Sequence, residues 1–390
     1  RVIAITDIIL QEVSTPEVDD VIRINDEFNR TDGKINAEHK TPAVLILAAG
    51  LGTRLGKLTD DINKAQIPIN NKAIISKIIE KFPKEYDLFV ALGYKGDELK
   101  QYCELAFPDL NITYLHIDDY DYPGSGPGTS AIKFKENLQR PFYITVADCI
   151  IDSDIPHIDW NWLGVQATSY PEKYATLEID SNDNIISFSE KSLKGYDYAF
   201  IGIASIWDYK VFWKELENNM QNGELVHAFN NLKSYPSFKA KKLKWLDTGN
   251  LDDLNNTRVY FKDKPLSLSK VTGEITYKED RFIKFNPNPK IIENISRRAQ
   301  NLKGLIPNNF SQTKSFISYD WAPGKTIYNY KSLKVYKRFL GFFESIIEKS
   351  STKKISEKAV DKFYFKKTQT RKDIFIQDSS CWWLNNYIKT

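Results

Sequence analysis

The feature that most constrains the fold is a glycine loop directly after a short, wholly apolar run. Residues 43–48 read AVLILA, and the chain continues as AGLGTRLG over 49–56. A continuous apolar run of this kind indicates a strand buried on both faces, as in a parallel sheet covered by helices. Glycines let backbone N–H groups approach phosphate oxygens, and Arg54 adds a planar set of donors that matches a phosphate. The pattern predicts an α/β fold with a phosphate-binding loop after its first strand.

Further strand and helix patterns follow at intervals that suit the same architecture. Apolar runs predict the strands, and helical spacing of apolar residues predicts the helices between them. The predicted strands are Asp87–Leu92, Ile112–Ile117 and Phe142–Val146, a second strand-rich stretch covers Ala175–Ser189 and Phe200–Trp207, and the predicted helices are Ala73–Phe82 and Asp97–Leu105. The order of these elements favours a sheet with helices on its faces.

The composition excludes several classes of protein. Hydrophobic residues make up 42% and charged residues 27%, and 54 Lys and Arg nearly balance 51 Asp and Glu. This balance gives no global attraction to nucleic acid or to a membrane surface, and no apolar run approaches the roughly 20 residues of a membrane span. Three widely spaced cysteines, Cys103, Cys149 and Cys381, argue for reduced thiols and a cytoplasmic protein. The start at Arg1 suggests a piece of a longer, multidomain protein.

The glycine loop differs from two familiar phosphate-binding motifs. Gly50 to Gly56 is not followed by Lys-Ser/Thr as in a P-loop. The dinucleotide motif G-x-G-x-x-G expects an acidic residue about 20 positions later in a βαβ unit, and that pattern does not fit either. A plain strand-to-helix turn is the alternative interpretation. The Thr53-Arg54 pair and Lys64 with Pro68 beyond it favour a phosphate site.

Two aspartates are candidates for a metal site. Asp148 follows the predicted strand 142–146, so its carboxylate is expected at the carboxyl end of the sheet, where such folds bind ligands. Asp247 lies in the segment WLDTGNLDDL, where the alternative is a helix N-cap. Magnesium needs few protein carboxylates, because phosphate and water supply its other ligands.

A Gly- and Pro-rich loop over 122–131, read as YPGSGPGTSA, precedes a helical pattern. Such a loop can press its backbone against a flat base and read the edge of the base with N–H and C=O groups. A plain surface turn is the alternative.

The run LAAGLGTRLG with the later NKAQIPI resembles the nucleotidyltransferases that make sugar nucleotides and related activated alcohols, over about residues 42–262. The resemblance implies a Rossmann-like α/β fold with a mixed, mainly parallel sheet. It implies catalytic contacts from Arg54 and Lys64 to the triphosphate, and magnesium on Asp148 and Asp247. The implied nucleotide-binding residues are Leu47, Ala48, Ala49, Gly50, Gly52, Thr53, Gly128, Thr129 and Ser130, and the implied acceptor-binding residues are Glu190 and Lys191. The chain departs from the family at Gln66, where an apolar residue is usual, and at Ser192, where Pro is usual.

The third part of the chain carries a different pattern. Residues 271–285 predict a hairpin that carries Lys284, and Glu293 follows in a basic helix predicted over Lys290–Asn301. With strands expected at 304–307 and 315–319, this order resembles the small lobe of choline and aminoglycoside kinases. A kinase also needs an Asp base, typically in His-Gly-Asp, with Asn and Asp for magnesium, and the sequence has none of these. We therefore expect a partial α+β kinase-like lobe without kinase activity.

Together these patterns predict three parts: a leader or tail of a preceding module over 1–41, a nucleotidyltransferase domain over 42–265, and the kinase-like lobe with a helical tail over 266–390. The predicted activity is Mg²⁺-dependent transfer of a nucleotide, with CTP favoured, to a phosphorylated sugar or alcohol, with release of pyrophosphate. Deleting everything after about residue 265 is expected to spare it. The resemblance also implies a role in making precursors of surface polysaccharide or lipid.

Two other functions stay open at this point. A glycosyltransferase of similar fold would use a sugar nucleotide and an Asp-x-Asp metal motif, for which Asp152-Ser153-Asp154 is the candidate. A non-catalytic nucleotide-binding module would use the partial lobe as an interaction surface.

Overall fold

A computed structural model describes residues 41–190, 197–219, 223–229, 238–263, 273–302, 304–322, 332–349, 361–366 and 369. Residues 1–40 of the predicted leader, Lys191 and Cys381 lie outside these residues. The chain divides into two compact units, of which one ends at Trp321 and the other begins at Ala322. The division of the chain at 41 and 265 stays a prediction.

The first unit is built on a nine-stranded mixed sheet. The strands are β1 Ala43–Ala48, β4 Asp87–Leu92, β5 Ile112–His116, β6 Phe142–Val146, β8 Trp162–Ala167, β9 Ala175–Ile179, β10 Ile185–Glu190, β11 Tyr198–Ile206 and β12 Lys239–Lys242. The main path of the sheet runs β10-β9-β11-β6-β1-β4-β5, and β8 joins β11 to β12. The four neighbours β6, β1, β4 and β5 are parallel, and β11 joins them antiparallel through β6.

The glycine loop follows β1 at the centre of the parallel strands. Alternate β1 side chains belong to two separate cores: Val44 and Ile46 lie on one face, and Leu45 and Leu47 lie on the other. All six residues of β1 are buried. The run is apolar at every position because the helices cover both faces of this strand.

The helices of the first unit lie between these strands and after them. They are α1 Ile74–Ile79, α2 Gly96–Ala106, α3 Pro127–Ile132, α4 Tyr209–Asn218, α5 Val226–Phe229, α6 Leu251–Tyr260 and α7 Pro289–Asn301, with 3-10 helices at Thr53–Thr59, Lys64–Gln66 and Pro171–Lys173. Two short antiparallel pairs complete this part: β2 Pro68–Ile69 with β3 Lys72–Ala73, and β7 Cys149–Ile151 with β13 Trp245–Asp247. The predicted mixed α/β fold is confirmed.

A separate four-stranded antiparallel sheet, here called the small sheet, lies in the same unit. It contains β14 Ile275–Lys278, β15 Arg281–Phe285, β16 Ser311–Gln312 and β17 Phe316–Asp320, in the order β14-β15-β17-β16. The expected strand at 304–307 is wrong: this segment forms turns, with Gly304 at a φ of 87°, and the strand begins at Ser311. Lys284 Nζ lies 4.0 Å from Glu274 Oε1, a contact within the hairpin.

The small sheet shares a hydrophobic core with one face of the large sheet. Tyr277 and Phe316 belong to the same buried cluster as Tyr102 of α2. The ring centroids of Tyr102 and Tyr277 are 4.7 Å apart. Ser315 N–H donates to Gln101 Oε1 at 3.2 Å, which ties the start of β17 to α2. The two sheets are therefore parts of one packed unit.

The second unit contains α8, Leu333–Lys349, and a π-helical turn at Asp361–Lys366. In the part of the chain that the structure describes, no helix is both long and apolar enough to cross a bilayer.

The thiols of Cys103 and Cys149, in the first unit, are buried and form no disulfide with one another.

Candidate active site

The glycine loop bends sharply after β1 and continues into the 3-10 helix Thr53–Thr59. Gly52 has a φ of 68°, and a Cβ at this position would lie 3.0 Å from Thr59 Cγ2 and 3.2 Å from Lys64 Cβ. Glycine is needed here for both its backbone angle and its lack of a side chain. Thr59 Oγ1 donates to the carbonyls of Gly52 and Gly56 at 3.3 and 3.0 Å, which holds the loop closed on itself.

Lys64 and Asp148 meet at the carboxyl end of the parallel strands. Lys64 Nζ lies 2.8 Å from Asp148 Oδ2, and each side chain is 17% exposed. Burial opposes ionisation of Asp148, but the Lys64 ammonium and the Arg54 guanidinium outweigh it and hold the pKa of Asp148 below its ordinary value. Asp148 is therefore a carboxylate at neutral pH.

Asp247 is brought beside Asp148 by pairing of two short strands. In the β7–β13 register, Asp247 stands opposite Cys149, the residue after Asp148. The Asp148 carbonyl accepts from Thr248 N–H at 3.3 Å and from Thr248 Oγ1 at 3.0 Å. Asp247 Oδ1 accepts from Gly249 N–H at 2.8 Å, and Asp247 Oδ2 accepts from Tyr174 Oη at 3.1 Å.

Burial raises the pKa of Asp247, and the negative charges of Asp148 and Asp253 raise it further. The Gly249 and Tyr174 hydrogen bonds offset part of this shift. A buried carboxylate beside another carboxylate is stabilised by a cation that shares both.

Gly249 marks the point where three of the predicted site residues converge. A Cβ at Gly249 would lie 3.1 Å from Asp247 Oδ1, and 3.4 Å from both Asp148 Oδ2 and Arg54 Nη2. Two carboxylates and a guanidinium therefore face one small volume next to the glycine loop. Glycine leaves that volume open.

The donor set fits a magnesium ion. Both candidate ligands are carboxylates, which Mg²⁺ prefers, and two protein ligands suffice when phosphate and water complete the shell. Among the described residues, no group of three or more His, Cys, Asp or Glu is arranged to hold a metal by itself.

The predicted base loop is held by backbone contacts to the segment before α5. Gly128 N–H donates to the Gly223 carbonyl at 2.6 Å, and a Cβ at Gly223 would lie 2.6 Å from Thr129 Oγ1. Ser130 is buried and its N–H donates to the Gly126 carbonyl at 3.3 Å. The Gly128 N–H is thus already engaged within the protein, which leaves other groups of this loop to meet a base.

The acceptor side is described only in part. Glu190 is the last residue of β10, and its side chain, like all of Lys191, lies outside what the structure describes. Asp152 belongs to another place: its carboxylate is 3.1 Å from Lys244 Nζ and accepts from Tyr260 Oη. The first aspartate of the Asp-x-Asp motif is therefore engaged by a lysine and a tyrosine outside the Asp148–Asp247 pair.

The sequence did not single out several residues that lie at the site. Tyr174 reaches Asp247 from 73 positions away, and its ring packs edge-on against Trp245 with centroids 5.2 Å apart. Gly249 is one glycine among 18, and Asn63 is a polar residue next to Lys64. Asn63 lies beside the predicted catalytic Lys64, and Gly249 lies two residues after Asp247, but the contacts of Asn63 reach residues that are distant in sequence.

Comparison with known proteins places the chain in a family by sequence similarity. No protein-family model matches the chain. A D-glycero-alpha-D-manno-heptose 1-phosphate guanylyltransferase of Campylobacter jejuni is 30% identical over 156 residues, which are 38% of this chain and 69% of that protein. A bifunctional protein GlmU of Methanocaldococcus jannaschii is 26% identical over 228 residues, which are 56% of this chain and 54% of that protein. The chain therefore spans about half the length of this GlmU.

A solved structure agrees with the fold. An apo UDP-glucose pyrophosphorylase superposes with a TM-score of 0.50 at 17% identity, covering 57% of this chain and 99% of the other. The sequence matches identify the class, and the chain belongs to the sugar-phosphate nucleotidyltransferases. The predicted family is confirmed, whereas the kinase-like lobe stays a prediction.

Proposed function

We propose that this chain transfers a nucleotide from a nucleoside triphosphate to the phosphate of a phosphorylated sugar or alcohol and releases pyrophosphate. One observation carries the proposal: Arg54, Lys64, Asp148 and Asp247 converge beside the glycine loop, around the open position at Gly249. Cations for a triphosphate and carboxylates for a metal are thus present in one place.

The chemistry needs no covalent intermediate on the protein. An oxygen of the acceptor phosphate forms a bond to the α-phosphorus of the triphosphate, and the bond from that phosphorus to the β-phosphate oxygen breaks. The acceptor phosphate is already an anion at neutral pH, so no general base is required. The protein therefore acts through positioning and charge, the two effects that dominate phosphoryl chemistry.

Each named side chain has a defined part in this proposal. Arg54 and Lys64 hold the triphosphate oxygens, and the backbone from Leu47 to Thr53, including Gly50 and Gly52, surrounds the nucleotide. Lys64 also compensates the charge of Asp148 at 2.8 Å, so a bound triphosphate would compete with that carboxylate for the ammonium. The acceptor phosphate is assigned to Lys191, with Glu190 beside it.

Asp148 and Asp247 would hold Mg²⁺. When bound, the ion neutralises charge on the reacting and departing phosphates. Tyr174 and the Gly249 N–H fix the Asp247 carboxylate, so this ligand is oriented before anything binds.

Cytosine is the proposed base, read by the loop at Gly128, Thr129 and Ser130. The support is the resemblance of the third part of the chain to choline kinases, whose products are phosphorylated alcohols. One relative, the guanylyltransferase of Campylobacter jejuni, is named for a different nucleotide. A phosphorylated alcohol is accordingly the proposed acceptor, and the partial kinase-like lobe is proposed to have no kinase activity by itself.

The test is a matrix of CTP, UTP, GTP and dTTP against phosphocholine, phosphoethanolamine and a set of sugar 1-phosphates, with pyrophosphate release as the readout and Mg²⁺ present. Turnover with CTP and a phosphorylated alcohol supports the full proposal. Turnover with another pair retains the transferase and corrects its substrates. Hydrolysis or transfer of a sugar from a sugar nucleotide, without pyrophosphate release from any triphosphate, would contradict the proposal.

A further inference from the structure

Lys64 lies in a very short element, so other contacts must hold it in place. The 3-10 helix Lys64–Gln66, here called the lysine turn, has three residues. A single turn of this kind has too few hydrogen bonds to be stable by itself. Yet Lys64 Nζ must lie within hydrogen-bond reach of Asp148, on a strand end 84 residues away in sequence.

Asn63 ties the lysine turn to the strand that leads into the glycine loop. Asn63 is fully buried. Its Nδ2 donates to the Ala48 carbonyl at 2.8 Å and to the Tyr94 carbonyl at 2.7 Å, and its Oδ1 accepts from Ala65 N–H at 2.9 Å. Both amide hydrogens and the amide oxygen are therefore used. Because Ala48 is the last residue of β1, this side chain sets the spacing between the glycine loop and Lys64.

Gln66 closes the lysine turn from its other end. It too is fully buried. Its Oε1 accepts from Asn63 N–H at 3.1 Å, and its Nε2 donates to the Glu98 carbonyl at 3.1 Å. Asn63 and Gln66 thus form a reciprocal capping box around Lys64 and anchor it to α2. This accounts for the polar residue at a position where the family usually has an apolar one.

We propose that Asn63 and Gln66 are positioning residues that fix Lys64 against Asp148 and the glycine loop. The role of Lys64 in transfer rests on the proposed function; the placement of Lys64 by its two neighbours does not. Loss of either amide lets the lysine turn shift, and a shift of about 1 Å at a group that contacts the reacting phosphates costs up to about 100-fold in rate.

Three variants remove different sets of these side-chain hydrogen bonds. Asn63→Ala removes all three side-chain bonds, Gln66→Met removes both of its bonds at similar volume, and Gln66→Glu keeps the acceptor for Asn63 N–H but loses the donor to Glu98. Asn161→Ala is the matched control, because Asn161 is also fully buried and its Oδ1 accepts from Trp207 and Asp208 N–H groups at 2.8 and 3.0 Å, away from the site.

The first readout is the rate at which acetic anhydride acetylates Lys64 in the folded protein, measured by mass spectrometry. This readout does not depend on enzymatic activity. We expect several-fold faster acetylation of Lys64 in Asn63→Ala and Gln66→Met, a smaller rise in Gln66→Glu, and no change in Asn161→Ala. Unchanged labelling of Lys64 in folded Gln66→Met and Asn63→Ala would overturn the proposal. If Asn63→Ala does not fold, the two Gln66 variants decide.

The second readout is kcat/KM for pyrophosphate release, measured in the wild-type and Lys64→Met backgrounds. We expect Asn63→Ala and Gln66→Met to lower kcat/KM about 10- to 100-fold in the wild type, and to have little further effect once Lys64 is absent. An equal loss in both backgrounds would show that the amides act independently of Lys64 and would overturn the proposal. If the wild type transfers no nucleotide to any acceptor, the proposed function fails, and the labelling result still decides whether the amides hold Lys64.

Discussion

The large sheet and the small sheet use buried charge in opposite ways. At the large sheet, Lys64 and Asp148 form a pair that is still 17% exposed, beside an open position at Gly249. At the small sheet, the Glu279 side chain is only 3% exposed, and it is held by Tyr102 Oη at 2.6 Å and by Lys72 Nζ at 3.9 Å. The first arrangement leaves charge available to a ligand, whereas the second uses charge to join one sheet to the helix of another. Substitutions in the two regions should therefore separate activity from stability.

The largest effect is expected from deleting the small sheet. The sequence predicts that a chain ending near residue 265 keeps its activity, but the structure places Tyr277, Ile283, Phe285 and Phe316 in the core that also contains Tyr102. Losing large buried side chains costs about 2–5 kcal/mol each, and the total stability of a domain is only about 5–15 kcal/mol. We expect the truncated chain to be unfolded or aggregated by circular dichroism and size-exclusion chromatography. A folded, active truncated chain would instead support the prediction that residues 42–265 form an independent domain.

The next effect is expected at Asp148, one of the two proposed metal ligands. Asp148→Asn keeps the volume of the side chain but removes its charge, so pyrophosphate release should fall by about 10²- to 10³-fold or more while the thermal midpoint stays within a few degrees. Asp152→Asn is the control, because that carboxylate is engaged by Lys244 and Tyr260. Near-normal turnover of folded Asp148→Asn at saturating Mg²⁺ would show that Asp148 is not a ligand of the catalytic metal.

A smaller loss is expected at Arg54. Arg54→Lys keeps the positive charge but loses the planar donors, and hydrogen bonds to charged groups contribute about 1.5–3 kcal/mol each. The kcat/KM for the triphosphate should fall about 10- to 100-fold, with little change in the free energy of unfolding by urea. Equal kcat/KM for both proteins would show that Arg54 contributes only its charge.

The smallest effect is on the pH dependence of stability, through Glu279. Burial raises the pKa of Glu279, and its bonds to Tyr102 and Lys72 offset only part of that shift. Above the unfolded pKa of a glutamate, about 4.3, the unfolded chain gives up this proton before the folded one does. The folded state is then disfavoured as pH rises from there to the raised pKa.

Glu279→Gln should remove this pH-dependent loss from the free energy of unfolding and leave transfer unchanged. Glu80→Gln is the control, since Glu80 also contacts Lys72 but its side chain is 44% exposed. An identical slope of stability against pH in wild type and Glu279→Gln, over the acidic range, would contradict the assigned ionisation.

The sequence predicts those parts of the fold that have a strong local pattern. β1, β4 and β6 have the predicted bounds, because nearly all their residues are apolar and buried. The helix predicted over 73–82 is shorter, Ile74–Ile79, since Ala73 pairs in β3. The strand at Ser311–Gln312 is too short to leave a periodic signal.

The site residues likewise divide into those that a local sequence pattern predicts and those that it does not. Asp148 is predictable because it follows a strong strand, and the glycine loop is predictable from its composition. Tyr174, Gly249 and Asn63 act through partners that are distant in sequence or bound by backbone atoms, which no local spacing encodes. Likewise, an alternating pattern in the small sheet predicts an apolar face but does not identify α2 as the surface that covers it.

The strand order also determines when β1 can complete its pairing during synthesis of the chain. β1 lies between β4 and β6, and the register joins Leu47 to Val146, about 100 residues further along the chain. Bringing such distant segments together carries a large entropic cost before any contact repays it, which slows folding. The ribosome must therefore release β6 before the first strand has both neighbours. Until then the most apolar segment of the domain has an open edge, and a nascent chain would depend on its own later residues, or on a chaperone, to keep that edge from pairing with another molecule.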